Sequence, residues 1–468
     1  MRIIMKFGGS LIGAPGGPRR IAEIVSRHAG DNSVVVVVSA LDDVTDALIE
    51  AAEKAAGRRG TNFEEALGKL RRLHGKAVAG TSLDAAAKKA LLGRLDRTLE
   101  ELRTVLAGVS TLGELSPRSR DMILSVGERL AAPIVSAELE HQGIASRAFT
   151  GGEVGIVTDG SFGEAFPDLT ATRRNVRRTL LRRLSKAEVP VLTGFIARTK
   201  EGDITTLGRG GSDYTATIIG SALDADEVWI WTDVDGIMTG DPGVVSRPKL
   251  IEQLSYAEAE ELAFFGAKNM HPLALGPARV ARIPVRIRNG LRPNGVGTLI
   301  TTDEKRSGGV VKSVATVKHV GLLTVSGETL QGRPGIAARV FAALAAAKVN
   351  ILMISQSVSE ANISMVVRRN ALRQAKEAIS TELAKERVAA VVATDAHVAV
   401  VAAVGAGMRG TKGVAAKVFG AVAARGINVK MIAQGSSELN ISFVVEEKKA
   451  NDAARAVHAL VVTRGSRR

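Results

Sequence analysis

The last third of this chain repeats itself, and that repeat limits the possible folds more than any other feature. Gly335-Ile336-Ala337-Ala338-Arg339-Val340-Phe341 returns as Gly413-Val414-Ala415-Ala416-Lys417-Val418-Phe419. Val349-Asn350-Ile351-Leu352-Met353-Ile354-Ser355-Gln356 returns as Ile427-Asn428-Val429-Lys430-Met431-Ile432-Ala433-Gln434. Asn362-Ile363-Ser364-Met365-Val366-Val367 returns as Asn440-Ile441-Ser442-Phe443-Val444-Val445. The period is about 78 residues, too long for a solenoid and suited to a small duplicated domain. Each copy reads strand, helix, strand, strand, helix, strand, a split β-α-β layout. The expected units are 316–395 and 396–468, after a polar linker at 303–315. The last strand either completes the second unit or returns to the first. A purely structural dimerisation module has the same pattern, since fold alone does not assign function.

Residues 1–302 follow a different rule. Val34 to Val38 is a run of five valines, as expected of a strand buried on both faces of a parallel sheet. Arg2–Lys6, Val189–Ala197, Glu227–Asp233 and Pro284–Arg288 read as further strands, with helical patterns between them. That alternation predicts an α/β domain with a mainly parallel sheet. Asn62 to Leu106 reads as an α-hairpin broken near Gly80.

The polar residues collect where such strands end, which is where open α/β sheets bind ligands. Lys6 is followed by Phe7-Gly8-Gly9-Ser10, a phosphate-loop layout distinct from the longer P-loop pattern, with a glycine turn after an edge strand as its other reading. Ser39 and Thr45 follow the valine strand, with helix capping as their other reading. Glu128 follows Gly127, which permits a close approach in a helical run, but taken alone a surface carboxylate paired to a nearby arginine is the preferred reading. The densest stretch is Thr206-Leu207-Gly208-Arg209-Gly210-Gly211-Ser212-Asp213. Its glycines let backbone approach an anion. The helix start supplies N–H groups and a positive dipole end. Arg209 adds a planar fork for a carboxylate or phosphate. The alternative is a turn with Ser212 or Asp213 as the N-cap. Thr232-Asp233 ends a strand, and Lys268-Asn269 follows a helix.

Composition removes several classes. The 468 residues contain no cysteine, which excludes disulfides, zinc–cysteine sites and a cysteine nucleophile. The N-terminus enters a strand directly and lacks a signal-peptide layout. No apolar run reaches the roughly 18 residues of a membrane span. A cytoplasmic protein with no membrane contact is expected. The formal net charge of +15 raises the question of nucleic acid. Yet the basic residues, such as Arg173-Arg174, Arg177-Arg178 and Arg182-Arg183, sit at helical spacing and lack aromatic stacking platforms. A solvated basic surface is the preferred reading.

Taken together, Lys6 to Ser10, Ser39 to Thr45, Ser125 to Arg129, Thr206 to Asp213, Trp231 to Asp233, Phe265 to Pro272 and the paired C-terminal units resemble the aspartate kinase family. The resemblance covers nearly the whole chain and rests on motif order and spacing. It implies an amino-acid-kinase fold over residues 1–302, followed by two ACT-type regulatory units. It implies transfer of the γ-phosphoryl of ATP, with Mg²⁺, to the side-chain carboxylate of L-aspartate, at the start of lysine, threonine and methionine biosynthesis. Lys6, Arg209 and Asp213 are the implied catalytic residues. Ser39, Thr45, Glu128 and Arg209 would hold aspartate, with Glu128 on its ammonium. Lys6, Gly8, Gly9, Ser10, Thr232, Asp233, Met238, Lys268 and Asn269 would hold the nucleotide; no direct metal ligand is implied. Met238 and Gly243 stand where relatives carry a tyrosine and an arginine around Asp241-Pro242, and Arg247 is a nearby cation.

The resemblance also implies an inhibitory amino acid, threonine or lysine, near Asn350, Ser355, Gln356, Asn428 and Gln434. Asparagines at the strand starts and the cationic Lys430 favour threonine. A homodimer or homotetramer through the paired units is expected. A non-catalytic amino-acid sensor, or a kinase for another carboxylate, are the alternatives.

Overall fold

The computed structural model describes residues 1–57, 63–265, 271–303, 310–327, 334–357 and 362–462. Two compact units emerge. The first combines Met1–Ile237, Glu252–Tyr256 and Asn269–Asp303. The second combines Met238–Ile251, Ala257–Lys268 and Glu304–Arg468.

In the first unit the strands are β1 (Arg2–Phe7), β2 (Ser33–Val38), β3 (Ser146–Phe149), β4 (Val189–Thr193), β5 (Ile196–Arg198), β6 (Ile204–Thr206), β7 (Glu227–Thr232), β8 (Gln253–Ser255), β9 (Val285–Asn289) and β10 (Thr298–Thr301). Eight of them form one sheet in the order β3-β4-β2-β1-β7-β9-β10-β8, while β5 and β6 make a separate hairpin. All pairings in the large sheet are parallel except β9 with β10. The expected α/β class with a mainly parallel sheet is therefore observed. Val34 to Val38 are at most 1% exposed, as the β-branched run required.

The chain leaves β1 toward β2 on one side and later returns on its other side as β7. That reversal opens a crevice beyond the carboxyl ends of β1, β2 and β7. The expected α-hairpin is the helix pair Glu64–Ala79 and Ala85–Leu112. Its leucines Leu70, Leu91, Leu95, Leu102 and Leu106 join the core beneath the sheet. The basic helix Leu169–Leu184 is laced by ion pairs: Arg173 and Arg177 both bond Asp224, and Arg183 bonds Glu188.

The second unit contains β11 (Ser313–Ser326), β12 (Ile351–Gln356), β13 (Asn362–Arg368), β14 (Val391–Val404), β15 (Met431–Ala433) and β16 (Asn440–Glu446). They form one antiparallel sheet in the order β12-β13-β11-β14-β16-β15. The two long strands explain how the repeat is built. β11 and β14 pair along their length, from Ser313 with Val404 to Ser326 with Val391. The register shifts between Val317 and Val320, where His319 adopts a left-handed φ of 58°. β13 pairs with Val320–Ser326, and β16 pairs with Val398–Val404. Each long strand thus opens its own copy and supplies the fourth strand of the other.

Two details therefore differ from the expected layout. β11 begins at Ser313, inside the expected linker, and the expected 395/396 division falls within β14. Among the described residues no strand follows the final helix, Ala450–Val462. The Ser313–Val317 half of β11 takes that place against β14. Each copy keeps its own core, one built around Val340, Leu344, Ile379 and Leu383 and the other around Val418, Val422, Phe443 and Val457.

Candidate active site

The crevice at the ends of β1, β2 and β7 gathers most of the singled-out residues. β1 delivers Lys6, and the chain then turns at Gly8, whose N–H donates to the Trp231 carbonyl on β7 at 3.1 Å. Gly9 opens a short helix against the segment after β2. A Cβ there would lie 2.2 Å from the Ala40 carbonyl, so only glycine allows this approach. The Ser39 N–H donates to the Phe7 carbonyl at 3.2 Å, which fixes Ser39 beside the same turn.

Lys6 and Asp213 meet. Lys6 Nζ lies 2.7 Å from Asp213 Oδ1, with both side chains only about a tenth exposed, at 12% and 11%. Asp213 stands in the first turn of the helix Gly211–Leu223. The N-cap of that helix is Gly210, with no side-chain cap. The capping alternative for Ser212 and Asp213 is thereby set aside, and Asp213 is free to hold Lys6. Gly208 and Gly210, at φ 72° and 71°, bracket the exposed Arg209.

Glu128 lies in the helix Val126–His141 and is 4% exposed. Burial pushes its carboxyl up to about 8, against the opposing pull of the Ala40 N–H, its own N–H and the Lys6 charge. It is a buried carboxyl within reach of the Lys6 charge and not a surface ion-pair partner. Gly127 makes that placement possible, since a Cβ there would meet the Ala40 Cβ at 2.7 Å. Thr45 is exposed in the first turn of the helix Val44–Ala56, whose N-cap is Asp43, with no side-chain cap. Neither Ser39 nor Thr45 caps it.

Thr232 and Asp233 end β7, and the Thr232 hydroxyl donates to Asp233 at 3.0 Å. Asp42, which the motif reading passed over, belongs with them. Burial raises its carboxyl, and the charge of Asp233 adds to the rise. Two carboxylates that repel each other across the strand ends suit a site that receives a cation with its anion. His271 was also missed. Burial and the Arg209 charge lower its imidazole pKa, partly offset by Glu164 and Asp213, and it packs on the arginine loop, where a Cβ at Gly210 would meet the His271 Cβ at 2.3 Å.

Not every expected residue joins this cluster. Lys268 and Asn269 lie outside the described residues. Met238 belongs to the second unit, where its carbonyl accepts from the Ser313 hydroxyl at 2.9 Å. In the antiparallel sheet of the second unit, Asn350 and Asn428 are exposed residues preceding β12 and β15. Ser355 and Gln356 lie on β12, and Gln434 follows β15. The charge of Lys430 is taken up by Asp395 at 2.6 Å. Among the described residues no helix is long and apolar enough to cross a membrane.

Comparison with known proteins agrees with this architecture. Residues 1–289 match the Amino acid kinase family, and residues 323–383 and 401–460 match the ACT domain. Aspartokinase 2, chloroplastic, of Arabidopsis thaliana is 33% identical over 466 residues, spanning 97% of this chain and 83% of that protein. Among solved structures, E. coli aspartokinase III in complex with aspartate and ADP (R-state) superposes with a TM-score of 0.84 at 30% identity, covering 98% of this chain and all of that one. The same enzyme in complex with lysine and aspartate (T-state) gives 0.78 at 29% identity and covers 98% of this chain and 99% of that one. The chain belongs to the aspartokinases, the carboxyl-accepting phosphotransferases of the amino acid kinase family that carry C-terminal ACT domains.

Proposed function

We propose that this chain transfers the γ-phosphoryl of ATP to the side-chain carboxylate of L-aspartate, giving 4-phospho-L-aspartate. The Lys6–Asp213 pair at the crevice carries the reading, because it aims a held cation at the turn where a phosphate can approach backbone. The aspartate carboxylate, with an ordinary pKa of about 4, is already ionised at neutral pH. It attacks γ-phosphorus, the bond to the β-phosphate oxygen breaks, and ADP departs without proton transfer. No general base is required. The demand is to bring two anions together, which calls for cations and N–H groups around the transferring group.

Lys6, with Gly8, Gly9 and Ser10, would hold the phosphates. Thr232 and Asp233 would line the nucleotide site, and Met238, Lys268 and Asn269 complete the proposed set. Arg209 would hold a substrate carboxylate, Glu128 its ammonium, and Ser39 and Thr45 its remaining polar atoms. Asp213 would keep Lys6 aligned. Mg²⁺ arriving with the nucleotide would offset phosphate charge, and the mutually repelling Asp42 and Asp233 fit such a cation.

The proposed catalytic domain is 1–302, with regulatory units that act as an oligomerisation and effector module. Asn350, Ser355, Gln356, Asn428 and Gln434 would take the inhibitory amino acid. Threonine is favoured over lysine, because the strand starts carry Asn350 and Asn428 where an ε-ammonium would want a carboxylate. The E. coli enzyme, whose structure contains lysine, makes lysine the other candidate.

The test is formation of an acyl phosphate from ATP, Mg²⁺ and L-aspartate, trapped with hydroxylamine. Aspartate-dependent hydroxamate suppressed by threonine is expected. Product with glutamate alone would move the acceptor, and no product with tight amino-acid binding would favour a sensor.

A further inference from the structure

One carboxylate outside the proposed site is placed to control it. Asp121 sits on the short helix Pro117–Leu124 and is 0% exposed. Its side chain accepts three hydrogen bonds, all from segments distant in sequence. One oxygen takes the Gly163 N–H and the Thr206 N–H, each at 2.9 Å. The other takes the Thr206 hydroxyl at 2.9 Å. The same strap is closed from the opposite side, where the Ala165 N–H donates to the Thr206 carbonyl at 2.9 Å. Thr206 is the last residue of β6, and Gly208-Arg209-Gly210 follows almost at once.

Arg209 itself is exposed on a loop bracketed by two left-handed glycines. Such a loop has little intrinsic stiffness. Its aim depends on where its two ends are anchored. The far end enters the helix at Gly211, and the near end is Thr206, fixed by Asp121. A buried carboxylate is costly unless its lone pairs are filled. Three donors satisfy both oxygens, and all three belong to the base of the arginine loop or to the loop packed on it.

We infer that Asp121 is a positioning residue for the reaction, setting the aim of Arg209 by clamping Thr206 and Gly163. The inference rests on the proposed role of Arg209 in holding aspartate. It acts through Arg209 and touches no substrate.

The experiment measures binding of L-aspartate and of ATP separately by calorimetry on the full chain, so turnover is not needed. Asp121→Ala should weaken aspartate about tenfold or more while ATP stays within about twofold, as expected for a misplaced anchor. Asp121→Asn should restore most of the affinity, because its amide oxygen can accept both backbone N–H groups and its NH₂ can donate to Thr206 Oγ1. Thr206→Val, which keeps the N–H bond and loses the hydroxyl one, should give a smaller loss in the same direction. In an Arg209→Ala background, Asp121→Ala should add less than about twofold.

Wild-type aspartate binding in Asp121→Ala, an equal loss for both ligands, or a full additive loss in the Arg209→Ala background would each overturn the inference. If Asp121→Ala does not fold, wild-type binding in Thr206→Val does the same. Wild-type aspartate binding in Arg209→Ala would instead withdraw the substrate role of Arg209, and the positioning role would fall with it. An impaired Arg209→Ala beside an unimpaired Asp121→Ala sinks the positioning role alone.

Discussion

Lys6 Nζ and Asp213 Oδ1 lie 2.7 Å apart, joining the end of the central strand to the first turn of the helix that follows the arginine loop. A lysine alone would swing through several rotamers. Paired with a carboxylate that is itself mostly buried, it is held in one, and the cost of ordering it is met before any nucleotide arrives. The pair is thus a preorganised cation at the mouth of the Gly8–Gly9 turn.

Lys6→Ala should lower turnover by about 10²–10³-fold or more, the scale of losing one electrostatic contact to a transferring group. Its circular dichroism should stay native, since the strand core does not depend on the ammonium. Asp213→Asn should cost less, because it loosens the lysine without removing it. Wild-type turnover in Lys6→Ala, measured by the hydroxamate assay, would refute the assignment.

Glu128 predicts a pH dependence. Its buried carboxyl has a folded-state pKa of about 8, against an ordinary value of 4.5. Near neutrality it is largely protonated, yet an ammonium partner needs it ionised. Aspartate binding should therefore release a proton, and the KM for aspartate should fall as pH rises from about 6.5 to 8.5. Glu128→Gln should raise that KM and flatten its pH profile. The linkage to stability has the opposite sense. The folded state binds the proton more tightly, so this group's contribution declines as pH rises between 4.5 and about 8 and is level above. Thermal melts across that window, wild type against Glu128→Gln, would show whether the decline belongs to this residue.

Much of this architecture is legible in the sequence. The valine strand, the Lys6 turn and the duplicated C-terminal units are local signals, because periodicity and turn chemistry act over a few residues. Glu128 was only half legible: Gly127 allows a close approach, but taken alone the residue reads better as a surface carboxylate paired to an arginine, and its burial comes from packing on the distant Ala40. Asp121 was not legible. In sequence it stands beside Arg120 and reads as a solvated helix residue, and its partners Gly163 and Thr206 are 42 and 85 positions away. Asp42 was hidden for the same reason, since its opponent Asp233 comes from a different strand end. The exchange of β11 and β14 also escaped the repeat. Two homologous copies specify which strands exist but not which copy each long strand finishes.

The second unit holds a buried ion pair that predicts a stability effect. Lys312 Nζ lies 2.9 Å from Glu258 Oε2, with side chains 5% and 0% exposed. The Ala406 N–H donates to the other oxygen of Glu258 at 2.6 Å. Three separate segments meet there: the helix Tyr256–Phe264, the residue before β11 and the turn after β14. Lys312→Met leaves a buried carboxylate short of its cation and should destabilise this unit by about 3–5 kcal/mol. Lys312→Met with Glu258→Gln should recover part of that loss. Denaturant unfolding of both variants checks it, and an unchanged midpoint in Lys312→Met would mean the pair contributes nothing to folding.

The effector reading can be tested by exchanging one functional group. Asn350 and Asn428 occupy equivalent places in the two sequence repeats, both exposed, the first directly before β12 and the second three residues before β15. An asparagine can accept from a hydroxyl or an ammonium but carries no charge to offset an ε-ammonium. Wild-type activity should therefore be inhibited by threonine more strongly than by lysine. Asn350→Asp or Asn428→Asp, whichever copy binds, should shift that preference toward lysine by about tenfold, the scale of one charge-assisted hydrogen bond. Lys430 should not oppose the change, because Asp395 already neutralises it at 2.6 Å. Inhibition curves for both amino acids on the three proteins decide the matter. Stronger inhibition of the wild type by lysine than by threonine would sink the threonine preference, and unchanged curves in both variants would remove these asparagines from the effector site.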